Sequence, residues 1–330
     1  MTLSTDTAVD QKEPITLQRM RSVKRVALWP FRKTLMPWAV RRPPSRAKRA
    51  VLHRVVMPQL HAQGFDFEKR IDDRTVFLGN TRDLGPLLIY LFGTYEPTIT
   101  RFVRGRLRPG DTFVDIGANV GWFSVLGGHL VGPSGSVVSI EPSPALSAKL
   151  EQNLVANGLT NVKIIRAAAG ERQGRVDLVP GPEENTGWTW VRPGSEIPLD
   201  TAPNLVGLDV WRSARLIKID VEGSEFDIIR GAASLLGQLS PSAEIVIEVS
   251  TDATFGPRSV TSTGSQEEAV AALFGCLAAA GFHPYRMTDP YALSDYFGDH
   301  GPQVLERLHA VPDHGGDFVF SRVDAASLPL

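Results

Sequence analysis

Val114-Asp115-Ile116-Gly117-Ala118-Asn119-Val120-Gly121-Trp122-Phe123-Ser124 is the stretch on which the fold turns. An apolar run carries an acid near its end, two glycines bracket an asparagine, and an apolar helical pattern follows. That is strand, tight turn and helix, the opening unit of a sheet wound with crossover helices. Outward from it, beyond about residue 101, short apolar runs alternate with helical patterns. Strands are predicted at Thr112–Ile116, Val137–Glu141, Val162–Ala167, Leu216–Asp220, Glu244–Glu248 and Phe318–Ser321, and helices at Val120–Leu130, Pro144–Asn157, Glu225–Leu236 and Gln266–Ala280. Near-continuous hydrophobicity fits strands buried on both faces of a parallel sheet. Gly158 and Gly281 stand where helix C-caps belong. The fold class is therefore α/β, Rossmann-like.

The glycine turn is not G-x-G-x-x-G. Gly117 and Gly121 let the backbone turn sharply, but Asn119 occupies the middle and Asp115 stands just before the turn. A dinucleotide pyrophosphate wants backbone N–H groups and no nearby carboxylate. S-adenosylmethionine has no phosphate and carries a sulfonium and an ammonium group, so an acid at position 115 suits it better. A glycine turn that only joins strand to helix remains the plainer alternative for this motif alone.

Three further acids close predicted strands. Glu141 lies 20 residues past Gly121, where an acid accepts hydrogen bonds from ribose hydroxyls. In Leu216-Ile217-Lys218-Ile219-Asp220-Val221-Glu222-Gly223-Ser224-Glu225, alternation puts Lys218 and Asp220 on one face of a buried strand. A lysine there is costly unless paired or used. The plainer reading is a Lys218–Asp220 ion pair, with Glu222 and Glu225 solvating a helix start. Glu248 ends another strand and faces the same crevice, or is a rim carboxylate of no chemical consequence.

Taken in order, Gly93-Thr94-Tyr95-Glu96-Pro97, Pro109-Gly110-Asp111, Val114–Gly121, Gly132–Gly135, Glu141-Pro142, Asn153–Gly158 and Lys218–Glu225 resemble the FkbM family of class I S-adenosylmethionine-dependent methyltransferases. The resemblance runs from about residue 93 to 250, and the Lys218–Glu225 block is its most specific part. It implies a seven-stranded, mostly parallel sheet with an antiparallel last strand, and methyl transfer to an oxygen. Members of that family act on hydroxyls of saccharides, glycolipids, macrolides and other secondary metabolites. By the same resemblance Asp115 and the turn (Gly117, Asn119, Gly121) hold the methionine moiety and Glu141 the ribose. The segment Ala167-Ala168-Ala169-Gly170 meets the adenine, with Ala168 at its centre. Many relatives carry an acid or amide there; with alanines, backbone contacts would have to suffice.

Methyl transfer from a sulfonium needs alignment and exclusion of water, and an alcohol acceptor must also lose a proton. Asp220, Glu248 and Lys218, the last only if burial lowers its pKa, are the candidate catalytic residues. No His pair has helical ligand spacing, and a metal-free carboxylate base is expected. An amine acceptor needs less help from a base, so N-methylation stays open. So do an NAD(P)-dependent oxidoreductase, disfavoured by the missing G-x-G-x-x-G, and a non-catalytic binding protein, disfavoured by the carboxylates. The acceptor pocket is expected between the rim loops Gly181–Ser195, with Trp188 and Trp190, and Phe255–Gly264.

Composition bounds the rest. The net charge of −1 conceals an asymmetry: residues 1–65 hold 13 Lys/Arg and 3 Asp/Glu, leaving 22 against 33 in the remainder. Three stretches are expected: a basic extension over 1–65, a lead-in over 66–100 and a methyltransferase domain over 101–330. Within the extension, prolines forbid one long helix and predict short helices broken near Arg41–Ser45. Trp29, Phe31, Leu35, Met36 and Trp38 lie among its basic residues, which makes residues 18–65 a candidate peripheral contact with anionic membrane. A basic arm docked on its own acidic domain, or simply solvated, is the alternative, and the acidity of the rest argues against nucleic acid. Cys276 stands alone, so neither a disulfide framework nor a cysteine zinc cluster is expected, and the reducing cytoplasm fits. No apolar run approaches the ~20 residues of a membrane span, and Asp6, Asp10 and Glu13 spoil any signal peptide.

Overall fold

The computed structural model describes residues 35–40, 45–181, 189–249, 266–287, 296–297, 304–312 and 315–329. The expected break at Arg41–Ser45 lies largely outside these residues, as does the rim loop Phe255–Gly264. The chain opens with the short helices α1 (Met36–Val40) and α2 (Arg46–Val51). Ser45 caps α2 by accepting from the Lys48 N–H, and a π turn at Leu52–Val56 leads on into α3 (Met57–Gln63). A hairpin of β1 (Asp66–Arg70) and β2 (Val76–Asn80) follows, then α4 (Leu84–Phe92) and α5 (Pro97–Arg106).

The Rossmann-like body then begins, with β3 (Thr112–Ile116), α6 (Trp122–Val131), β4 (Ser136–Ile140), α7 (Pro144–Ala156) and β5 (Val162–Ile165). A smaller sheet is formed by β6 (Ala168–Ala169), β7 (Gly174–Val179), β8 (Trp190–Pro193) and β9 (Ile197–Asp200), in the order β6-β9-β7-β8. Next come α8 (Ala202–Val206), α9 (Leu208–Ser213), β10 (Ala214–Ile219), α10 (Glu225–Leu236), β11 (Glu244–Val249) and α11 (Gln266–Ala279). The chain closes with β12 (His283–Arg286), β13 (Val304–Arg307), β14 (Gly316–Ser321) and β15 (Ser327–Pro329).

The main sheet runs β15-β13-β12-β14-β11-β10-β3-β4-β5. From β11 to β5 all strands are parallel, and β14 enters antiparallel between β11 and β12. Seven strands follow the expected plan, and β13 and β15 widen the sheet to nine among the described residues. Two further expectations need correction. The strand expected over Val162–Ala167 ends two residues early, at Ile165, and the following Ala168–Ala169 pairs with β9 in the small sheet. The rim loop Gly181–Ser195 contains β8, which pairs with β7; residues 182–188, Trp188 among them, lie outside the described residues.

Strand alternation sorts the core into two layers. Val114, Ile116, Ile217, Ile219, Ile245, Ile247, Phe318 and Phe320 pack under α8 to α11. Phe113, Val137, Leu216, Val246 and Val319 face the other way, toward Phe102, Val103 and Phe123 of α5 and α6. This second layer positions the site. Moving along its strands toward their carboxyl ends, apolar residues give way to polar ones. Phe113 is followed by Asp115, Leu216 by Lys218 and Asp220, Val246 by Glu248, and Val137 by Ser139 and Glu141. The strand order reverses between β3 and β10, the crevice where open α/β sheets take their ligands.

Candidate functional site

Parallel register places Asp115, Lys218 and Ser139 side by side on neighbouring strands. All three are buried. Ser139 Oγ donates to Ser124 Oγ at 2.8 Å, and Ser124 Oγ donates to Asp115 Oδ2 at 2.6 Å. Asp115 Oδ1 is buried and accepts no hydrogen bond. Burial raises the Asp115 pKa, opposed by the Lys218 charge and the Ser124 bond. A buried carboxylate oxygen with nothing to accept is the kind of atom that a cationic ligand group satisfies.

The turn after β3 folds back on the next strand: Gly117 N and Ala118 N both donate to Ile140 O, at 2.9 and 3.0 Å. Gly117 has φ 83°, and a Cβ there would lie 1.8 Å from the Asp220 carbonyl oxygen. The glycine is thus required by the contact between two strand ends, before any ligand is considered. Gly121, at φ 93°, is pressed against Leu150 of α7 in the same way. Asn119 holds a left-handed φ of 51°, and its N–H donates to Glu141 Oε2 at 2.8 Å. The other oxygen, Oε1, accepts from Ser143 N at 2.8 Å. Both bonds lower the Glu141 pKa, but burial exceeds them and lifts it to about 7. Each oxygen retains a lone pair for a further donor such as a ribose hydroxyl.

Beyond this pair of acids lies a denser group. Carboxylate oxygens of Glu96, Asp220 and Glu248 all lie within 4.8 Å of one another. Glu96 comes from the N-cap of α5, buried at a left-handed φ of 41°, and its backbone N–H donates to Tyr296 Oη at 3.2 Å. Lys218 Nζ donates to Asp220 Oδ2 at 2.5 Å and lies 4.6 Å from the centre of the Phe123 ring. Burial pulls the Lys218 pKa down, yet the charges of Asp220, Glu96 and Asp115 outweigh it and hold it above the ordinary range. Lys218 is therefore an ammonium, and the condition on which it would be a base, a pKa lowered by burial, is not met: beside the Phe123 ring its neighbours are acids. Its place is to neutralise and orient Asp220.

The remaining acids are pushed toward their protonated forms. Glu248 lies well above the usual carboxylate range, through loss of water first and then the charges of Asp220, Asp317, Glu96 and Glu222. Glu222 rises to about 8, again by burial and then Asp220 and Glu96. Such a group is a proton acceptor tuned toward neutrality. The same trio is also a set of hard oxygen donors of the kind that holds a divalent cation.

Asp115, Gly117, Asn119, Gly121 and Glu141 are thus brought together, and Asp220 and Glu248 meet beside them. Ala168 lies in the small sheet: its side chain packs with Val176 and Leu199, and its backbone pairs with β9. That leaves it no side chain to offer an adenine. Glu96 was not among the residues singled out by strand-end position. Its only signal was its membership in the Gly93–Pro97 block.

These residues fall within, or just before, a stretch with known relatives. Residues 115–284 match the methyltransferase FkbM domain. Over 59 residues the chain is 39% identical to the protein-L-isoaspartate O-methyltransferase of Methanococcus aeolicus, a match covering 18% of this chain and 27% of that protein. The chain thus spans about a quarter of that relative's length. Among solved structures, the methyltransferase FkbM from Methylobacillus flagellatus aligns with a TM-score of 0.35 at 16% identity, over 67% of this chain and 50% of that one. Aeropyrum pernix fibrillarin, solved with natively bound S-adenosyl-L-methionine, aligns with a TM-score of 0.36 at 12% identity, over 67% and 73%. The free oxygen of Asp115 and the two backbone-held oxygens of Glu141 fit S-adenosylmethionine. With the matched domain spanning more than half of the sequence, the chain belongs to the FkbM methyltransferase family.

Proposed function

We propose that this enzyme methylates a hydroxyl oxygen of a saccharide, glycolipid or secondary metabolite, with Glu248 taking the acceptor's proton and Asp220 beside it. The observation that carries this reading is the meeting of Glu96, Asp220 and Glu248 next to the glycine turn. When bound, S-adenosylmethionine supplies an activated methyl group. Asp115 and the turn would hold its methionine end and Glu141 its ribose. An alcohol keeps its proton near neutrality, so its oxygen needs a basic neighbour, whereas a neutral amine does not. A carboxylate lifted well above its ordinary range meets that need, and Lys218 donates a hydrogen bond to Asp220 beside it.

The test has two stages. Calorimetric titration with S-adenosylhomocysteine, on wild type and on Asp115→Ala and Glu141→Ala, should show binding that both substitutions abolish in folded protein. A screen of hydroxylated acceptors should then find activity that rises with pH through a single ionisation above the usual carboxylate range. Glu248→Gln should lower kcat by about a hundredfold or more and remove that ionisation. An unchanged pH profile in Glu248→Gln would end its role as base. Activity lost to a chelator and restored by Mg2+ would assign the three carboxylates to a cation instead.

A further inference from the structure

Among the described residues of the basic amino-terminal segment, none belongs to the carboxylate group or the glycine turn of the candidate site. From Arg46 to Gln63 the chain is one helical run, α2 and α3 joined by the π turn. Its apolar side, with Leu52, Val56 and Leu60, packs against Leu87, Leu88 and Leu91 of α4. Arg46, Arg49 and Arg54 are exposed, and among the described residues their side chains make no hydrogen bond or ion pair. A basic arm folded onto its own acidic domain would hold these groups in salt bridges. It does not. Beside them Trp38 is 43% exposed, with the Lys48 ammonium 5.8 Å from its ring centre.

Unneutralised guanidinium groups on a helical unit that also exposes an indole match the chemistry of a lipid interface: the charges meet headgroup phosphates and the ring sits at the acyl boundary. Nucleic acid would offer phosphates too, but the chain after residue 65 carries 33 acidic against 22 basic residues and would repel a long polyanion. Location adds a reason. This helical unit shares its core with Tyr95 and Tyr296, and these flank Glu96 where it enters the carboxylate group.

We propose that Trp38, Arg46, Arg49 and Arg54 form a face that docks the enzyme on an anionic lipid bilayer, next to the site and thus to an acceptor held at that surface. The acceptor clause rests on the proposed O-methyl transfer; the docking does not. Full-length protein is floated with vesicles of phosphatidylcholine alone and of phosphatidylcholine with phosphatidylglycerol, and S-adenosylhomocysteine binding is measured in parallel. Binding confined to the anionic vesicles is expected, with a loss of roughly fivefold per arginine in Arg46→Ala/Arg49→Ala/Arg54→Ala. Trp38→Ala should weaken binding by a factor that added salt leaves unchanged. Both variants should bind S-adenosylhomocysteine like wild type, which separates failed docking from a failed fold or cofactor site. No binding of wild type to anionic vesicles, or equal binding by the triple variant, would overturn the proposal. So would tight binding of a duplex oligonucleotide in place of the vesicles.

Discussion

Glu141 takes a backbone N–H on each carboxylate oxygen, and burial still lifts its pKa to about 7. In the unfolded chain a glutamate titrates near ~4.3. Between the two values the folded protein holds a proton that the unfolded chain lacks. The contribution is complete below the lower value and is lost as pH rises through the folded one, so stability falls with rising pH across this window. The loss amounts to about 4 kcal/mol for this residue. Glu141→Gln, which mimics the protonated form, should therefore show a shallower decline of melting temperature from about pH 5 to about pH 7, measured without ligand. Equal slopes in both proteins would show that Glu141 is not the titrating group. Asp115, Glu141, Asp220 and Glu248 were legible in the sequence, because strand alternation and the carboxyl-edge rule locate acids at strand ends. Glu96 was not, since only tertiary packing brings the N-cap of α5 to the end of β10. The protonation of Lys218 was legible only as two open readings: burial and the Asp220 charge pull its pKa in opposite directions, and Glu96, unseen in the sequence, adds to the second.

At the scale of elements, Asn153 of α7 is the fastener between the amino-terminal hairpin and the cofactor turn. Fully buried, it accepts from Leu78 N at 2.8 Å and donates to Leu78 O at 3.1 Å and to Val120 O at 2.9 Å. One turn on, Asn157 repeats the pattern on Val76, accepting at 2.9 Å and donating at 2.7 Å. Two amides on one helix thus serve β2 as a neighbouring strand would. Asn153→Ala should cost about 3 kcal/mol in denaturant unfolding, because it leaves backbone groups of Leu78 and Val120 without partners in the interior. It should also weaken S-adenosylhomocysteine binding, since the turn loses its tie at Val120. A loss under about 1 kcal/mol would mean that water replaces the amide. Both asparagines lie in the Asn153–Gly158 block, yet their task was invisible, because nothing local tells a helix which strand it will meet. The long, apolar strands β3, β4, β10 and β11 were legible for the opposite reason. The short strands β6, β8, β12, β13 and β15 show too few alternations to be seen, and Pro284 inside β12 argues against a strand altogether.

Across the whole molecule the charged layer has a counterpart at the opposite end of the sheet. Glu244, buried where β11 begins, receives Arg106 Nε at 2.7 Å and Arg215 Nη1 at 2.9 Å, tying α5 to β10 and β11. This end is paired and closed, while the carboxyl end gathers more acids than the buried ammonium of Lys218 can neutralise. The plan of the sheet, with β14 between β11 and β12, also has a temporal meaning. During synthesis β12 emerges before β14, but its partners are β14 and β13, both still to come. The edge of β11 stays open until residues 316–321 arrive. The sheet is therefore completed out of chain order, by a long-range pairing that is slow and leaves a hydrophobic edge exposed meanwhile. A chain stopped at residue 312 should appear in the insoluble fraction when expressed beside the soluble full-length protein. In this protein β14, made after both of the strands it joins, is the one that makes them safe to release.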